Sequence, residues 1–409
     1  MGQEKLDYRK TFVLGLGFFS VSIVWPVYNS FVPIMLENYI KSTTLIGAVM
    51  TIDNLFAVIF QPIFGALSDK TNTRFGRRMP YLLIGVPLAA IFCSLIPSAN
   101  SLPMLMTFVI LMNFAMSIFR APTVALMPDV TPSHLRSKAN GVINFMGGLA
   151  AVIAYGLGGF LYKKGTAYPF YMSSIIMTMA LILLYIFIKE PEIVEEKAKV
   201  KNKEKDIDKS KSLLFILFAI FFWFTGFNAV ETFFSLYGQY ELGIDPGKAS
   251  MILTSFSLSF LIFAIPAGFV GTKLGRKKTI LLGIVGALTV FTLLIFIKNI
   301  SAMIVLLIIG GMFWAFININ SYPMVVEMAP KGGVGTYTGY YYFFSSCAAI
   351  VSPILFGWIR DMAHSYKPLF IYSCIAFGAA LFCMLFVKHG DFTNKNYTEE
   401  DLKFMKENI

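Results

Sequence analysis

The sequence predicts an all-α membrane protein, with twelve transmembrane helices in two six-helix bundles that form a parallel pseudo-repeat. Three observations predict it. Hydrophobic residues make up 56% of the 409-residue chain and charged residues 14%, and the mean hydropathy is +0.69. A water-soluble chain of this length could not hide that much apolar surface. The apolar stretches are long enough to cross a bilayer, which takes ~20 residues as helix. One kind of basic segment also occurs at the same place in each half: Pro62 to Asp69 followed by Arg74-Phe-Gly-Arg-Arg78, then Pro266 to Lys273 followed by Gly275-Arg-Lys-Lys278. A duplicated apolar half of this kind describes a carrier built from two similar bundles.

The apolar runs are 11–36, 45–68, 80–98, 102–127, 140–162 and 168–188 in the first half, then 212–238, 248–271, 279–297, 301–328, 334–359 and 366–387. Helix is the state expected for all of them, because backbone polar groups in lipid must be satisfied within their own segment. The runs are too long and too uniformly apolar for barrel strands. The first run is too long for the apolar core of a cleavable signal peptide and lacks a small-residue cleavage site after it, so no such peptide is expected.

The organisation expected is a first bundle over 1–188, a polar linker over 189–211, a second bundle over 212–387 and a tail over 388–409. The linker mixes many Lys with Glu and Asp and reads as flexible or surface-lying cytoplasmic sequence. In the tail, Thr398-Glu-Glu-Asp offers an N-cap for a short amphipathic helix. The repeat extends past the basic loops, since Pro122 to Met127 has a counterpart in Pro323 to Met328.

The net charge of +11 is distributed as a topology signal. Lys70, Arg74, Arg77 and Arg78 lie between the second and third runs, Arg136 and Lys138 between the fourth and fifth, and Lys273, Arg276, Lys277 and Lys278 between the eighth and ninth. The opposite loops carry few charges, such as Lys41, Lys163 and Lys164. The positive-inside rule therefore puts both termini in the cytoplasm of a multi-pass plasma-membrane protein. The same distribution argues against nucleic acid as a partner. Cys93, Cys347, Cys374 and Cys383 all fall within apolar runs without metal-ligand spacing, so they read as packing residues and no metal site is expected.

Polar residues inside the runs are costly, so they mark candidate sites. The first run has Trp25, Tyr28 and Asn29 around Pro26, and the second has Asp53 and Asn54. In the fourth, Asn113, Ser117 and Arg120 share one helical face. The seventh has Asn228 and Glu231, and the tenth has Trp314, Asn318 and Asn320. The first, second, fourth, seventh and tenth helices are thus expected to line a central cavity, and the third, sixth, ninth and twelfth to face lipid. Amides and carboxylates pair with hydroxyls, and Trp or Tyr packs on the apolar face of a ring, so a sugar is the solute expected. Asp53 and Glu231 are the first choices for coupling to a cation, with Arg120 as switching partner. A carboxylate in a low-dielectric cavity can exchange a proton near neutral pH, and one with amide neighbours can hold Na+.

Gly65-x-Leu-Ser-Asp69 with Arg74-Phe-Gly-Arg-Arg78 resembles the loop signature of the major facilitator superfamily. The wider strings Gln61 to Pro80 and Ala121-Pro-Thr-x-Ala-Leu-Met-Pro-Asp129, with Arg136-x-Lys-Ala-Asn-Gly141 after it, resemble the branch of sucrose and maltose carriers and glycoside–pentoside–hexuronide symporters. The resemblance implies the major facilitator fold and alternating access. It also implies a gating role for Gly65, Asp69, Arg74, Arg77, Arg78, Asp129 and Arg136, with the charges latching one bundle on the other when the cavity faces outward. Where plant sucrose carriers have an aspartate this chain has Asn113, which cannot titrate, so H+, Na+ and uncoupled movement stay open.

The function expected is cation-coupled symport of a di- or oligosaccharide or glycoside by a monomer, with no cofactor. The alternative is a proton-coupled efflux antiporter of drugs or metabolites. Antiporters of the superfamily carry a Gly-Pro pair in the fifth helix, whereas Gly147 to Gly159 has the glycines without the proline. An enzyme is not expected: there is no nucleotide loop, and His134, His364 and His389 lie near loops or ends.

Overall fold

The computed structural model describes residues 7–131, 136–190, 207–329 and 334–391. The linker beyond 190 and the tail beyond 391, with the helix anticipated after Thr398, fall outside them. Among the described residues, twelve helices are long and apolar enough to span a membrane. In the first half they are α1 (Tyr8–Glu37), α2 (Thr43–Lys70), α3 (Met79–Ser98), α4 (Leu102–Met127), α5 (Gly141–Tyr162) and α6 (Tyr168–Phe187). In the second they are α7 (Ser210–Glu241), α8 (Pro246–Leu274), α9 (Arg276–Phe296), α10 (Ile300–Glu327), α11 (Tyr337–Ala363) and α12 (Pro368–Leu385).

Two helices are broken, both in the first bundle. α1 stops at Ser22 and resumes at Val24. Pro26 has no N–H for the Ser22 carbonyl, so the ladder cannot run through. α2 stops at Met50 and resumes at Ile52. There the Thr51 hydroxyl bonds the Ala48 carbonyl at 2.8 Å and competes with the backbone. Each break is followed at once by polar residues: Trp25 and Asn29 in α1, Asp53 and Asn54 in α2. Asp53 lies in the first turn of the resumed helix, where the N-terminal dipole favours a carboxylate.

The repeat holds at the level of single hydrogen bonds. The loops before α3 and α9 each turn on a glycine in the left-handed region, Gly76 (φ 99°) and Gly275 (φ 92°). After α6, Glu190 accepts from the backbone N–H of Arg77, Arg78 and Met79 at 2.7–3.0 Å. After α12, Asp391 accepts from the N–H of Arg276 at 2.5 Å. Arg77 and Arg78 pair with Asp129 past the end of α4, as Arg276 pairs with Glu327 at the end of α10. The side carrying these loops is the basic face; the opposite side is the far face.

Exposed apolar stripes run along helices expected to face lipid, but not there alone, since α2, α8 and α11 are less buried still. On α6, Ile175, Met179, Ile182 and Ile186 form one stripe at helical spacing, each more than half exposed. α9 and α12 present Leu282, Val285 and Phe296, and Ile371, Ile375 and Phe382, in the same way.

The bundles hold to each other through their far halves. Glycine lets α2 and α11 touch there: a Cβ on Gly47 would strike the Pro353 carbonyl, and one on Gly357 the Thr43 carbonyl. α5 and α8 meet in the same manner, with Gly159 against the Gly247 carbonyl and Gly156 against Thr254. Backbone cannot yield as a side-chain tip can. Gly357→Ala is therefore expected to disfavour far-face closure by about 1–3 kcal/mol, the usual range for overpacking, which faster cysteine labelling of the cavity from the far side would register.

Candidate functional site: a polar cavity between the bundles

A cavity of about 230 Å³ lies between the bundles, lined by Trp25, Asn29, Met50, Asp53, Asn54, Arg120, Asn228, Glu231, Thr232, Ala349 and Pro353. Seven of the residues singled out from the sequence meet there: Trp25, Asn29, Asp53, Asn54 and Arg120 from the first bundle, and Asn228 and Glu231 from the second.

The contacts are specific. Asn54 donates its amide to Asp53 at 2.7 Å. The Arg120 guanidinium sits over the Trp25 ring, 5.5 Å from its centre, a cation–π placement, and lies within electrostatic reach of Asp53. Glu231 accepts from the Tyr155 hydroxyl at 3.0 Å, and the Asn29 side chain also faces its carboxylate. Asp53 and Glu231 sense one another across the cavity. The wall thus holds two carboxylates and one guanidinium. Two buried donors in it, Trp25 Nε1 and Asn228 Nδ2, have no hydrogen-bond partner.

Five expected binding residues lie elsewhere. Tyr28 and Asn113 are buried behind the wall, where the Asn113 amide donates to the Val109 carbonyl at 3.0 Å and points at the Tyr28 oxygen at 3.5 Å. Trp314 is packed inside the second bundle, stacked on Phe227 with ring centres 4.3 Å apart and edge-on to Phe224. Asn320 ties α10 to α8, donating to the Ala267 carbonyl at 3.1 Å. Asn318 is half-buried on α10 and does not line the cavity. The fifth cavity-lining helix is therefore α11 in place of α10. It contributes Ala349 and Pro353, apolar residues that carry no signal in sequence.

The expected gating residues gather at the basic face, within the first bundle. Arg78 is only 4% exposed and is held by Asp69, Asp129 and Ser68. Arg77 pairs with Asp129, and Arg74 lies over its neighbour Phe75. A Cβ on Gly65 would meet Ala121 at an ordinary 3.7 Å, so no tight helix contact depends on Gly65 in this conformation. Its carbonyl instead accepts from Ser68 at 2.7 Å. Arg136 opens the helix that continues as α5, and its side chain is outside the described residues. The described partners of this cluster join the ends of α2 and α4 to the loop before α3. They brace one bundle and do not latch it to the other. Removing the buried Arg78 leaves Asp69 and Asp129 side by side without it, so Arg78→Ala should lower thermal stability by several kcal/mol, measured in detergent against Arg74→Ala, which should cost little.

The latch that is formed lies at the far face. Asp361, near the end of α11, accepts from the Ser42 hydroxyl at 2.7 Å, the Thr43 N–H at 2.8 Å, the Thr44 N–H at 2.9 Å and the Thr44 hydroxyl at 2.8 Å. It caps the start of α2 from the opposite bundle. Beside it the buried Tyr366 carries Arg360 over its ring and stacks on Tyr240. Burial pushes the Tyr366 hydroxyl well above its ordinary pKa, so it stays a donor, and it points at Glu37 of α1 at 3.5 Å.

A family model for the Major Facilitator Superfamily matches residues 14–246 and 239–406. The tetracycline resistance protein, class H, of Pasteurella multocida is 25% identical over 381 residues, covering 90% of this chain and 91% of that protein. Multidrug resistance protein 2 of Bacillus subtilis (strain 168) is 26% identical over 369 residues, covering 87% and 88%. Among solved structures, a point mutant of the nucleoside transporter NupG superposes with a TM-score of 0.73 at 14% identity, covering 92% of this chain and 98% of that one. A D-xylose–proton symporter gives 0.67 at 16% identity, covering 93% and 97%. At such identities the structural likeness speaks to the fold alone.

Proposed function

The chain belongs to the Major Facilitator Superfamily, and from that premise we propose that this transporter moves a small polyhydroxylated solute, a sugar or glycoside, together with H+ or Na+. The observation that carries the reading is the cavity wall. It presents amides, carboxylates, a threonine, a guanidinium and one indole, with two donors unpartnered. A solute hydroxyl would satisfy those donors, and leaving them buried and unmade is costly. The indole of Trp25 offers the face on which a sugar ring packs. At about 230 Å³ the cavity falls below the ~300–1,000 Å³ of a drug-sized site.

With the basic loops assigned to the cytoplasm by their charge, the far face is extracellular and the observed conformation is the one closed to the outside. Alternating access then consists of releasing the far-face contacts and closing the basic side around the loaded cavity.

Efflux of drugs is the second reading, and the names of the sequence relatives favour it. Against it stand the polarity of the wall and the glycines of α5. Gly156 and Gly159 are taken up in contact with α8, so close packing accounts for them. Counterflow in proteoliposomes decides between the readings. Unlabelled sucrose, maltose, glucose, a nucleoside or tetracycline is loaded inside, and entry of the labelled compound is followed with and without H+ or Na+ gradients. Exchange of a sugar with no exchange of tetracycline supports the proposal; tetracycline exchange with every sugar inert defeats it.

A further inference from the structure

We infer that Tyr155 is a positioning residue whose hydroxyl ties the charge on Glu231 to closure of the far face. The inference rests on the alternating-access reading above, but not on which solute is carried.

Tyr155 belongs to α5 in the first bundle and Glu231 to α7 in the second, and their bond of 3.0 Å crosses the interface. It links a charged cavity residue directly to the opposite bundle. Its surroundings fix the phenol in place. Tyr155 is 4% exposed, so water has little room to substitute for it. Its carbonyl accepts from the Ser250 hydroxyl of α8 at 3.2 Å, and that hydroxyl lies 3.4 Å from the Ser30 hydroxyl of α1. The adjacent Gly156, and Gly159 about one turn on, seat α5 against α8. The hydroxyl therefore stays aimed at Glu231 only while the far halves of the bundles remain together.

A phenol donating to an ionised carboxylate makes a charge-assisted bond, roughly twice as strong as a neutral one. With Glu231 ionised, the bond adds its strength to the far-closed conformation. With Glu231 neutralised by a proton, the bond weakens and the bundles part more readily. An empty, ionised carrier is thereby held back from reorienting, which is the condition for coupling. The other charged groups facing Glu231 are Asp53 of α2 and Arg120 of α4. Both lie in the same bundle as Tyr155, so they raise or lower the field at Glu231 without replacing the link.

The test needs no substrate. Genetically encoded spin labels replace Lys41 and Lys298, exposed positions on far-face loops of opposite bundles, in the full-length protein. The far-end distance distribution is then read by pulsed electron resonance across pH. The wild type is expected to shift toward the far-open population as pH falls. Tyr155→Phe keeps the ring and its packing and should shrink the ratio of populations between the pH extremes by about fivefold, the margin of a charge-assisted over a neutral bond. Glu231→Gln should flatten the profile, and adding Tyr155→Phe to it should leave the profile flat, moving both pH extremes by the same small factor as the remaining neutral bond is lost. A Tyr155→Phe profile as steep as the wild type, a wild type without pH dependence, or a pH dependence that Tyr155→Phe changes in the Glu231→Gln background would overturn the inference. Failure of every sugar in counterflow would defeat the proposed solute and leave this link standing.

Discussion

Replacing Asp361 by alanine is expected to move the transporter from the far-closed to the far-open conformation by about 30- to 150-fold. The carboxylate receives four hydrogen bonds from Ser42, Thr43 and Thr44. Ser42 caps its own helix only weakly, accepting from the Leu45 N–H at 3.4 Å, so Asp361 supplies most of the capping of α2. Loss of an ordinary N-cap costs ~1 kcal/mol. Here the cap comes from another bundle and two backbone donors lose their partner together, so about 2–3 kcal/mol falls on the far-closed state alone, at 1.4 kcal/mol per tenfold. Parting of the bundles at the far face breaks this contact in any case, so its loss weighs on the far-closed state. Met50 lines the cavity, and labelling of Met50→Cys from the far side should accelerate accordingly. Transport should fall at the same time, since the cycle stalls where it can no longer close. Asp361→Asn retains one carbonyl acceptor and should lie between. If Met50→Cys labels at the same rate in both backgrounds, the cap is not what holds the far face.

The parts of the molecule legible in the sequence are those where the membrane makes a residue type expensive. Length and apolarity mark the twelve spans because lipid leaves the backbone no alternative to helix. Asp53, Arg120 and Glu231 stand out because an ionisable group in a span is costly unless wetted or paired, and all three line one cavity. Amides are more ambiguous. Asn228 and Asn320 look alike in sequence, yet one faces the cavity and the other finishes its bonds on the carbonyls of Ala267 and Phe316. What decides is the neighbouring helix, which local sequence does not record. α11 escaped notice for the opposite reason: Ala349 and Pro353 serve as wall by being small and rigid. Asp361 reads as a charge near a loop until α2 arrives to be capped, and Tyr155 as one aromatic among many until Glu231 comes within reach. The resemblance implies a gating latch for the basic cluster, whose described ion pairs lie within the first bundle. Its partners turn out to be intra-bundle because the far face, not the basic face, is the closed one in this conformation.

Removing Arg120 should abolish transport more completely than removing either carboxylate. The cavity holds Asp53, Glu231 and a single guanidinium, so the wall carries one uncompensated negative charge when both acids are ionised, which under the proposed coupling a cation would balance. In Arg120→Ala the excess doubles, and Asp53 and Glu231, which already sense each other, lose the guanidinium of the cavity wall. Taking away one partner of a buried pair costs about 3–5 kcal/mol. Arg120 is half-buried and lies within electrostatic reach of Asp53 without forming an ion pair, so the lower end applies, about a hundredfold in transport at 1.4 kcal/mol per tenfold. Trp25 also loses the cation over its ring, which loosens the surface proposed for the solute. The charge argument makes a sharper demand on the double variant. Arg120→Ala with Asp53→Asn restores the original excess of one negative charge, so solute exchange should recover by at least tenfold over Arg120→Ala alone. Glu231 remains to bind the cation, so a residue of gradient-driven accumulation should survive, and Glu231→Gln in that background should remove it. Lysine at 120 keeps the charge but not the planar group stacked on the indole, so Arg120→Lys should retain the balance and weaken solute affinity. Equal transport by wild type and Arg120→Ala would show that the guanidinium compensates neither acid, and the arithmetic of one excess charge would fall with it.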